Sequence, residues 1–124
     1  MEYLLDSSVW VALFLDFDTQ HKKAQRVFEQ LRGRIYLPYC IVSEVITVLT
    51  YKHSKEQGDN FIAFVEENRS VILLDHDMRD ELAFYPSVRE RISFPDAVLL
   101  FLTKKLGVTL ITFDKQLGRL LKKL

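Results

Sequence analysis

Short apolar runs that alternate with helical patterns constrain the fold of this chain more than any other feature. The runs cover residues 3–5, 35–37, 71–74 and 108–112, and each is short enough to be a buried strand. Strands that are joined through helices pair in parallel, because the crossover returns the chain to the same edge of the sheet. The sequence therefore predicts an α/β fold, with a central parallel β-sheet of about four short strands flanked by helices on both sides.

Helical patterns fill most of the chain between these runs. Apolar residues recur there every three or four positions, and capping, proline or glycine residues mark where helices begin and end. The predicted helices are 9–15, 20–31, 40–52, 55–67, 77–84, 97–106 and 115–124, with residues 86–93 as a connector. The helix over 97–106 is expected to start on the acidic residue Asp96, with Pro95 at its first position, and to stop at Gly107.

Composition limits the class of protein. The 124 residues, of which 48% are hydrophobic, suffice for one core, so residues 1–124 are expected to form a single domain. No apolar run is long enough to span a membrane, and the first residues lack the basic segment of a signal peptide, so neither is expected. Cys40 is the only cysteine and is interpreted as a small, buried hydrophobic residue. A cytoplasmic location fits this cysteine usage.

The charges of the chain balance, with 17 lysines and arginines against 17 aspartates and glutamates. The chain therefore lacks the positive field over the whole fold that a non-specific DNA binder of high affinity needs. The balance still permits an enzyme that meets a nucleic acid through a bound metal ion and a local basic patch.

Four acidic residues fall where predicted strands end or the following helices begin. Asp6 and Asp114 directly follow the first and last strands, while Glu44 and Asp96 lie near the starts of helices. Taken singly, each is typical of a helix cap, where unpaired N–H groups and the helix dipole stabilise a carboxylate. Taken together at one sheet edge, the four would repel one another unless a cation neutralised them. Hard oxygen ligands without clustered histidine or cysteine favour Mg²⁺ or Mn²⁺ over Zn²⁺.

Five short motifs give the chain a resemblance to a known family. They are Leu5-Asp6-Ser7-Ser8, His21-Lys22-Lys23-Ala24, Ser43-Glu44-Val45, Ile92-Ser93-Phe94-Pro95-Asp96-Ala97 and Thr112-Phe113-Asp114. With these motifs in this order, the chain resembles the PIN-domain ribonucleases, and within them the VapC-type toxins of toxin–antitoxin pairs, nearly from end to end. No single motif is specific, but all five together in a chain of this length are. The resemblance implies a PIN-like fold and a metal-dependent endoribonuclease.

The resemblance also implies roles for individual residues. Four acids are expected to hold Mg²⁺ or Mn²⁺ and to carry the catalysis: Asp6, Glu44, Asp96 and Asp114. Asp6 and Asp96 would be direct ligands, and Glu44 and Asp114 would act partly through water. The hydroxyls of Ser7 and Thr112 would orient metal-bound water. Hydrolysis of an RNA phosphodiester would leave a 5′-phosphate and a 3′-hydroxyl.

One departure from the family pattern concerns the number of metal ions. Many relatives carry a further acid soon after the position of Asp114, whereas this chain continues with Lys115, Gln116 and Leu117. The resemblance therefore implies one metal site more firmly than two.

Basic residues near the last acid are the candidates for contact with RNA. Lys115 and Arg119 lie four positions apart on the last predicted helix. Either Lys22 with Lys23 or Arg89 with Arg91 would extend the contact. Cations on a terminal helix are also typical of a solvated surface. As partners, the resemblance implies an antitoxin that inserts an arginine or lysine among the acids, and a homodimer.

Two alternatives remain open at this level. The first is a catalytically inert PIN module that binds RNA or a protein partner. The second is a Mg²⁺-dependent phosphoryl-transfer domain, which also places aspartates at strand ends. A dehalogenase-like domain of that kind needs a second aspartate two positions after Asp6, where this chain has Ser8.

Overall fold

A four-stranded parallel sheet forms the centre of the computed structural model, which describes residues 1–75 and 77–124. The strands are β1 (Glu2–Leu5), β2 (Arg34–Pro38), β3 (Val71–Leu74) and β4 (Thr109–Ile111), in the order β3-β2-β1-β4. All three pairings are parallel, and Leu4 of β1 lies opposite Tyr36 of β2 and Leu110 of β4. The predicted α/β fold with a parallel sheet is confirmed.

Helices connect the strands in the alternation that the sequence predicts. They are α1 (Ser7–Phe14), α2 (His21–Gln30), α3 (Tyr39–Lys52), α4 (Lys55–Glu67), α5 (Arg79–Phe84), α6 (Phe94–Leu106) and α7 (Lys115–Leu121), with one 3₁₀ turn at Tyr85–Ser87. The bounds of α4 and β3 are those predicted, and α7 ends three residues earlier. None of the helices in the described part of the chain is both long and apolar enough to cross a bilayer.

The start of α6 differs from the prediction. The helix begins at Phe94, so Pro95 occupies its second position, and Ser93 is the N-cap. The Ser93 Oγ accepts a hydrogen bond from the backbone N–H of Asp96 at 3.2 Å. A serine hydroxyl caps a helix as well as a carboxylate does. The carboxylate of Asp96 is therefore not the cap of this helix.

Apolar side chains from the strands and helices form one core. Trp10 of α1 is fully buried, and its ring packs against Phe28 of α2 and against Phe61 and Phe64 of α4. The second half of the core comes largely from α6, whose buried residues are Ala97, Val98, Leu99, Leu100 and Leu102. Gly107 ends α6 in the left-handed conformation (φ 67°), as predicted, because glycine adopts it without strain. The packed core fixes the helix starts against the strand ends.

Candidate active site

The carboxyl ends of the strands bring the four predicted acids to one region. Asp6 follows β1 directly, and its backbone N–H donates to the carbonyl of Ile111 at the end of β4 (3.1 Å). Asp114 lies three residues beyond β4. Glu44 lies in the second turn of α3, which starts at the end of β2, and Asp96 lies in the first turn of α6. This edge is where ligands bind in open parallel sheets.

Asp6 is a buried carboxylate held by several donors. Only 3% of the residue is exposed to solvent. The Ser8 hydroxyl donates to Oδ1, the Thr112 hydroxyl donates to Oδ2, and the backbone N–H of Val9 donates to Oδ1 at 3.2 Å. A carboxylate has about four lone-pair sites, so these bonds orient Asp6 and leave acceptor capacity.

The hydroxyl groups that contact the carboxylate of Asp6 belong to Ser8 and Thr112. Thr112 contacts Asp6, and its Oγ1 also accepts the backbone N–H of Asp114 (2.9 Å), so one hydroxyl joins two of the acids. Ser7 lies at the start of α1, but the serine that bonds Asp6 is Ser8. Sequence reasoning missed Ser8. The available signal was its position two residues after a helix-capping aspartate.

Capping accounts for two of the four acids. Asp6 caps α1 by accepting from Val9, and Asp114 caps α7 by accepting from the backbone N–H of Leu117 at 2.9 Å. Asp96 and Glu44 have no such role, since Ser93 caps α6 and Glu44 lies inside α3. Helix capping therefore does not explain the presence of acidic residues at Asp96 and Glu44.

The electrostatics of Asp96 show that the four acids sense one another. Partial burial and, after it, the negative charges of Asp6, Asp114 and Glu44 together raise the pKa of its carboxyl group to about 6. A carboxyl group whose pKa is raised by burial and by neighbouring negative charges is a typical feature of a functional site. The acids thus form an electrostatically coupled group at the sheet edge.

The raised pKa of Asp96 predicts that its charge destabilises the metal-free fold. Folding favours the protonated form of Asp96. Its contribution to the free energy of unfolding is therefore fully present below the unfolded pKa near 4 and is lost as the pH rises through about 6. In EDTA at pH 7.5, Asp96→Asn should therefore raise the free energy of unfolding by about 1 kcal/mol, a figure reduced for partial exposure. Urea melts at pH 7.5 and pH 4 measure this, and the gain should vanish at pH 4. Glu66→Gln on α4, an exposed acid, is the control and should change neither melt.

The acidic group is not a ready-made coordination shell. Within residues 1–75 and 77–124, no three His, Cys, Asp or Glu side chains lie close enough together to hold a metal ion. The chemistry of the donor set nevertheless suits a hard divalent cation, because all four groups are carboxylates and they repel one another. A cation at this edge would relieve that repulsion and draw the side chains together.

A groove of about 390 Å³ leads away from the acids. It is lined by Ser7, Glu44, Lys52 and Phe113 among others, and the Lys23 Nζ lies 4.7 Å from the centre of the Phe113 ring. Lys115 and Arg119 are exposed on α7, close to Asp114. Basic side chains therefore lie at the groove and on the helix that follows Asp114, although the chain as a whole is neutral.

The imidazole of His21 contacts the preceding helix. Its Nδ1 lies 2.6 Å from the carbonyl oxygen of Ala12, which ties the start of α2 to α1.

Comparison with known proteins identifies relatives by sequence profile and by structure. The PIN domain family matches residues 3–123. No curated protein sequence matches significantly. The chain is similar in structure to Mycobacterium tuberculosis VapC20, a toxin that cleaves the sarcin-ricin loop, with a TM-score of 0.82 and 22% identity over 94% of this chain and 93% of that one.

Two further solved structures share the fold. One is Rickettsia felis VapBC2 bound to a DNA fragment from its promoter, with a TM-score of 0.68 and 14% identity over 96% of this chain and 92% of that one. The other is PAE2754 from Pyrobaculum aerophilum, with a TM-score of 0.59 and 17% identity over 94% of this chain and 82% of that one. At these identities the likeness establishes the architecture.

Proposed function

Because this chain belongs to the PIN-domain family, we propose that it is a Mg²⁺- or Mn²⁺-dependent endoribonuclease and the toxin of a VapBC-type toxin–antitoxin pair. The observation that carries the proposal is the coupling of four carboxylates at the carboxyl edge of the sheet, expressed in the raised pKa of Asp96. The structural likeness to VapC20, which cleaves an RNA loop, supports RNA as the substrate.

The proposed site assigns a task to each acid. Asp6, Glu44, Asp96 and Asp114 would hold the cation, which when bound lowers the pKa of a water molecule and offsets charge on the phosphoryl oxygens. Asp6 is pre-oriented by the hydroxyls of Ser8 and Thr112. Glu44, which lines the groove, or Asp114 would accept the proton of the attacking water. In-line attack then releases a 5′-phosphate and a 3′-hydroxyl.

Cleavage of bulk RNA tests this function. Total RNA incubated with the full chain in Mn²⁺ should be cut, and the same mixture in excess EDTA should remain intact. Mapping of the ends should give 5′-phosphates. Equal cleavage in EDTA, or ends with 2′,3′-cyclic phosphates, would contradict a metal-assisted hydrolysis. Absence of cleavage together with absence of Mn²⁺ binding by calorimetry would favour an inert module.

We expect Thr112→Val to slow cleavage about tenfold. The variant keeps the shape of the side chain but removes the hydroxyl that bonds Asp6 and the acceptor for the N–H of Asp114. Groups that orient metal ligands are typically worth 10- to 100-fold. Initial rates in saturating Mn²⁺ measure the effect. Thr103→Val is the matched control, since its hydroxyl donates only to the carbonyl of Leu99 within α6 (2.7 Å); an equal loss in both variants would remove Thr112 from the site.

Reversal of two charges on α7 should weaken RNA binding. Lys115→Glu with Arg119→Glu places negative charge beside the expected path of the phosphates, so KM should rise about tenfold at 50 mM salt and less at 200 mM salt. The value of kcat should change little. Arg32→Glu with Arg69→Glu is the control pair, because both residues are exposed and precede strands at the opposite edge of the sheet. A KM of the α7 variant equal to that of the wild type at both salt concentrations would exclude the contact.

The proposal also includes protein partners. An antitoxin that presents an arginine or lysine would compete with the cation for the same carboxylates, and the Rickettsia felis VapBC2 complex supports a partner of this class. We propose in addition that the chain forms a homodimer. Sedimentation equilibrium of the isolated chain should give twice its mass, and a monomer at 100 μM would contradict the dimer.

A further inference from the structure

The groove that leads away from the acids has walls of two chemical kinds. Val11, Val48 and Phe113 give it apolar surface, while hydroxyl, amide, carboxylate and ammonium groups supply the rest. Its volume, about 390 Å³, is within the range of sites for small molecules. A groove of this size and mixed polarity suits one nucleotide, which joins a flat ring to a charged phosphate.

Phe113 holds a fixed place between two of the acids. It stands between Thr112, whose hydroxyl donates to Asp6, and Asp114, whose carboxylate caps α7. Its ring is partly buried, because it packs against the hydrophobic core and also lines the groove. The backbone on both sides of Phe113 is therefore anchored, and the ring is held where a molecule in the groove can contact it.

An ammonium group covers this ring. The Lys23 Nζ lies 4.7 Å from the centre of the Phe113 ring, and Lys23 is exposed on α2. A cation–π contact at an exposed site is weak, whereas stacking of a nucleobase on an aromatic ring is stronger. A base that enters the groove can therefore displace the ammonium from the ring. The released ammonium can then pair with a phosphate.

Charges of both signs line the rest of the groove. Lys52 supplies a second ammonium, and Asp18 and Glu44 supply carboxylates. The Asp18 carboxylate already accepts the backbone N–H of Gln20 at 2.8 Å, and Glu44 belongs to the proposed metal site, where a cation would neutralise it. Phosphates are therefore expected near the lysines, and a base is expected near the aromatic ring.

We propose that Phe113 and Lys23 bind one unpaired nucleotide of the RNA substrate; this rests on the proposed ribonuclease function. The base stacks on the Phe113 ring, and the Lys23 ammonium pairs with the phosphate of that nucleotide. Stacking on aromatic rings is a common way to bind unpaired RNA bases, and it accepts every base because each has a π-face. The site thus favours single-stranded RNA beside the acids without selecting a sequence.

Base-dependent binding in EDTA tests the proposal without cleavage. Fluorescein-labelled UUUUU is compared with a chain of five abasic ribose phosphates, which has the same charge and no ring to stack. In anisotropy titrations with the full protein chain, UUUUU should bind about tenfold more tightly, the scale of one base stacked on an aromatic ring. Phe113→Leu should bind both oligomers with equal affinity, whereas Phe113→Trp, which keeps an aromatic face, should retain the difference.

Removal of the Lys23 charge tests the phosphate contact separately. Lys23→Met keeps a flexible apolar side chain without the ammonium. The slope of log affinity against log salt concentration for UUUUU should become shallower by about 0.7, the value for one neutralised phosphate of a single strand. The preference for UUUUU over the abasic oligomer should persist, because the Phe113 ring remains.

A second phenylalanine–lysine pair serves as the matched control. The Lys105 Nζ lies 5.6 Å from the centre of the Phe101 ring on α6, and neither residue lines the groove. Phe101→Leu and Lys105→Met make the same chemical changes there, and both should bind the two oligomers as the wild type does. If Phe113→Leu unfolds, Phe113→Met, whose flexible side chain fills similar space, replaces it.

Three results would overturn the proposal. The first is equal affinity of the wild type for UUUUU and the abasic oligomer. The second is a preference for UUUUU that survives in Phe113→Leu or Phe113→Met, which would place the stacked base elsewhere and leave the groove to a protein segment. The third is an unchanged salt slope in Lys23→Met.

Cleavage assays separate this proposal from the proposed function. In Mn²⁺, Phe113→Leu should raise KM for single-stranded RNA about tenfold and leave kcat nearly unchanged, because stacking binds the substrate and the transition state alike. Cleavage by the wild type together with base-independent binding would overturn the nucleotide site and leave the nuclease intact. Base-dependent binding that Phe113→Leu abolishes, without any cleavage in Mn²⁺, would overturn the nuclease and leave the nucleotide site.

Discussion

Asp96→Asn should lower the rate of RNA cleavage by about 10³-fold while the chain remains folded. The change removes one negative charge from the coupled group and leaves the size of the side chain unchanged. Loss of a single group that stabilises charge in a transition state typically costs about 10²–10³ in rate, and a direct metal ligand belongs at the upper end. The backbone bond from Asp96 to Ser93 survives the substitution, so α6 keeps its cap.

Initial rates on a defined RNA substrate in saturating Mn²⁺ measure this loss. Asp59→Asn on α4 is the matched control, because it makes the same chemical change in an exposed aspartate that pairs with Lys55 on the same helix. The control should cleave at the wild-type rate. Activity of Asp96→Asn within tenfold of wild type would show that this carboxylate neither holds the cation nor takes part in catalysis.

Mn²⁺ should stabilise the wild-type chain by about 2.7 kcal/mol at an ion concentration 100 times Kd. The ion binds the folded state, in which the carboxylates lie at one edge of the sheet, and it offsets the repulsion that, after burial, raises the pKa of Asp96. Asp96→Asn, by contrast, should gain less than about 0.5 kcal/mol at the same concentration. The order of the two free energies of unfolding should therefore reverse: the variant is the more stable chain in EDTA, and the wild type is the more stable chain in Mn²⁺.

Urea melts with and without Mn²⁺ measure these free energies. Mg²⁺ should also stabilise the wild type more than Asp96→Asn. At equal concentration it should raise the free energy of unfolding less than Mn²⁺ does, because its affinity for such sites is lower. Asp59→Asn should respond to Mn²⁺ as the wild type does. A gain of equal size in the wild type and in Asp96→Asn would place the bound ion elsewhere on the chain.

The sequence carries enough information to predict the framework of the fold. Local periodicity and capping residues define α4 and β3 to the residue, because Ser54 caps the helix and four consecutive apolar residues, two of them β-branched, form the strand. Parallel pairing follows from the alternation of strands and helices. The gathering of Asp6 and Asp114 at one edge then follows from topology, since each comes after the carboxyl end of a strand.

Details that depend on side-chain packing were beyond sequence reasoning. Ser93 and Asp96 both suit a helix start, and the sequence does not decide between them; in the structure Ser93 caps α6. Ser7 and Ser8 are adjacent and chemically identical, so the choice of Ser8 as the partner of Asp6 depends on the direction in which α1 leaves the strand. Glu81 gave no signal, because its burial arises from packing of α5 against α6.

Capping and catalysis are compatible uses of the same acids in this fold. Asp6 and Asp114 stabilise helix starts, while the strand ends and the helix starts that follow them lie at the same edge. A carboxylate that caps a helix is held in one orientation. Its loss would weaken both the start of the helix and the proposed metal site. Asp96 has no side-chain capping role, which makes it the clearest position for separating function from stability.

The location of Mn²⁺ in crystals of the full chain tests the central claim most directly. Anomalous diffraction should place an ion in contact with the carboxylates of Asp96 and Asp6, at the carboxyl edge of the sheet, with oxygen ligands at about 2.0–2.3 Å. Crystals of Asp96→Asn should lack that peak. An ion bound only at other positions, or a wild-type crystal in which the acids at this edge bind no ion at saturating Mn²⁺, would contradict the account.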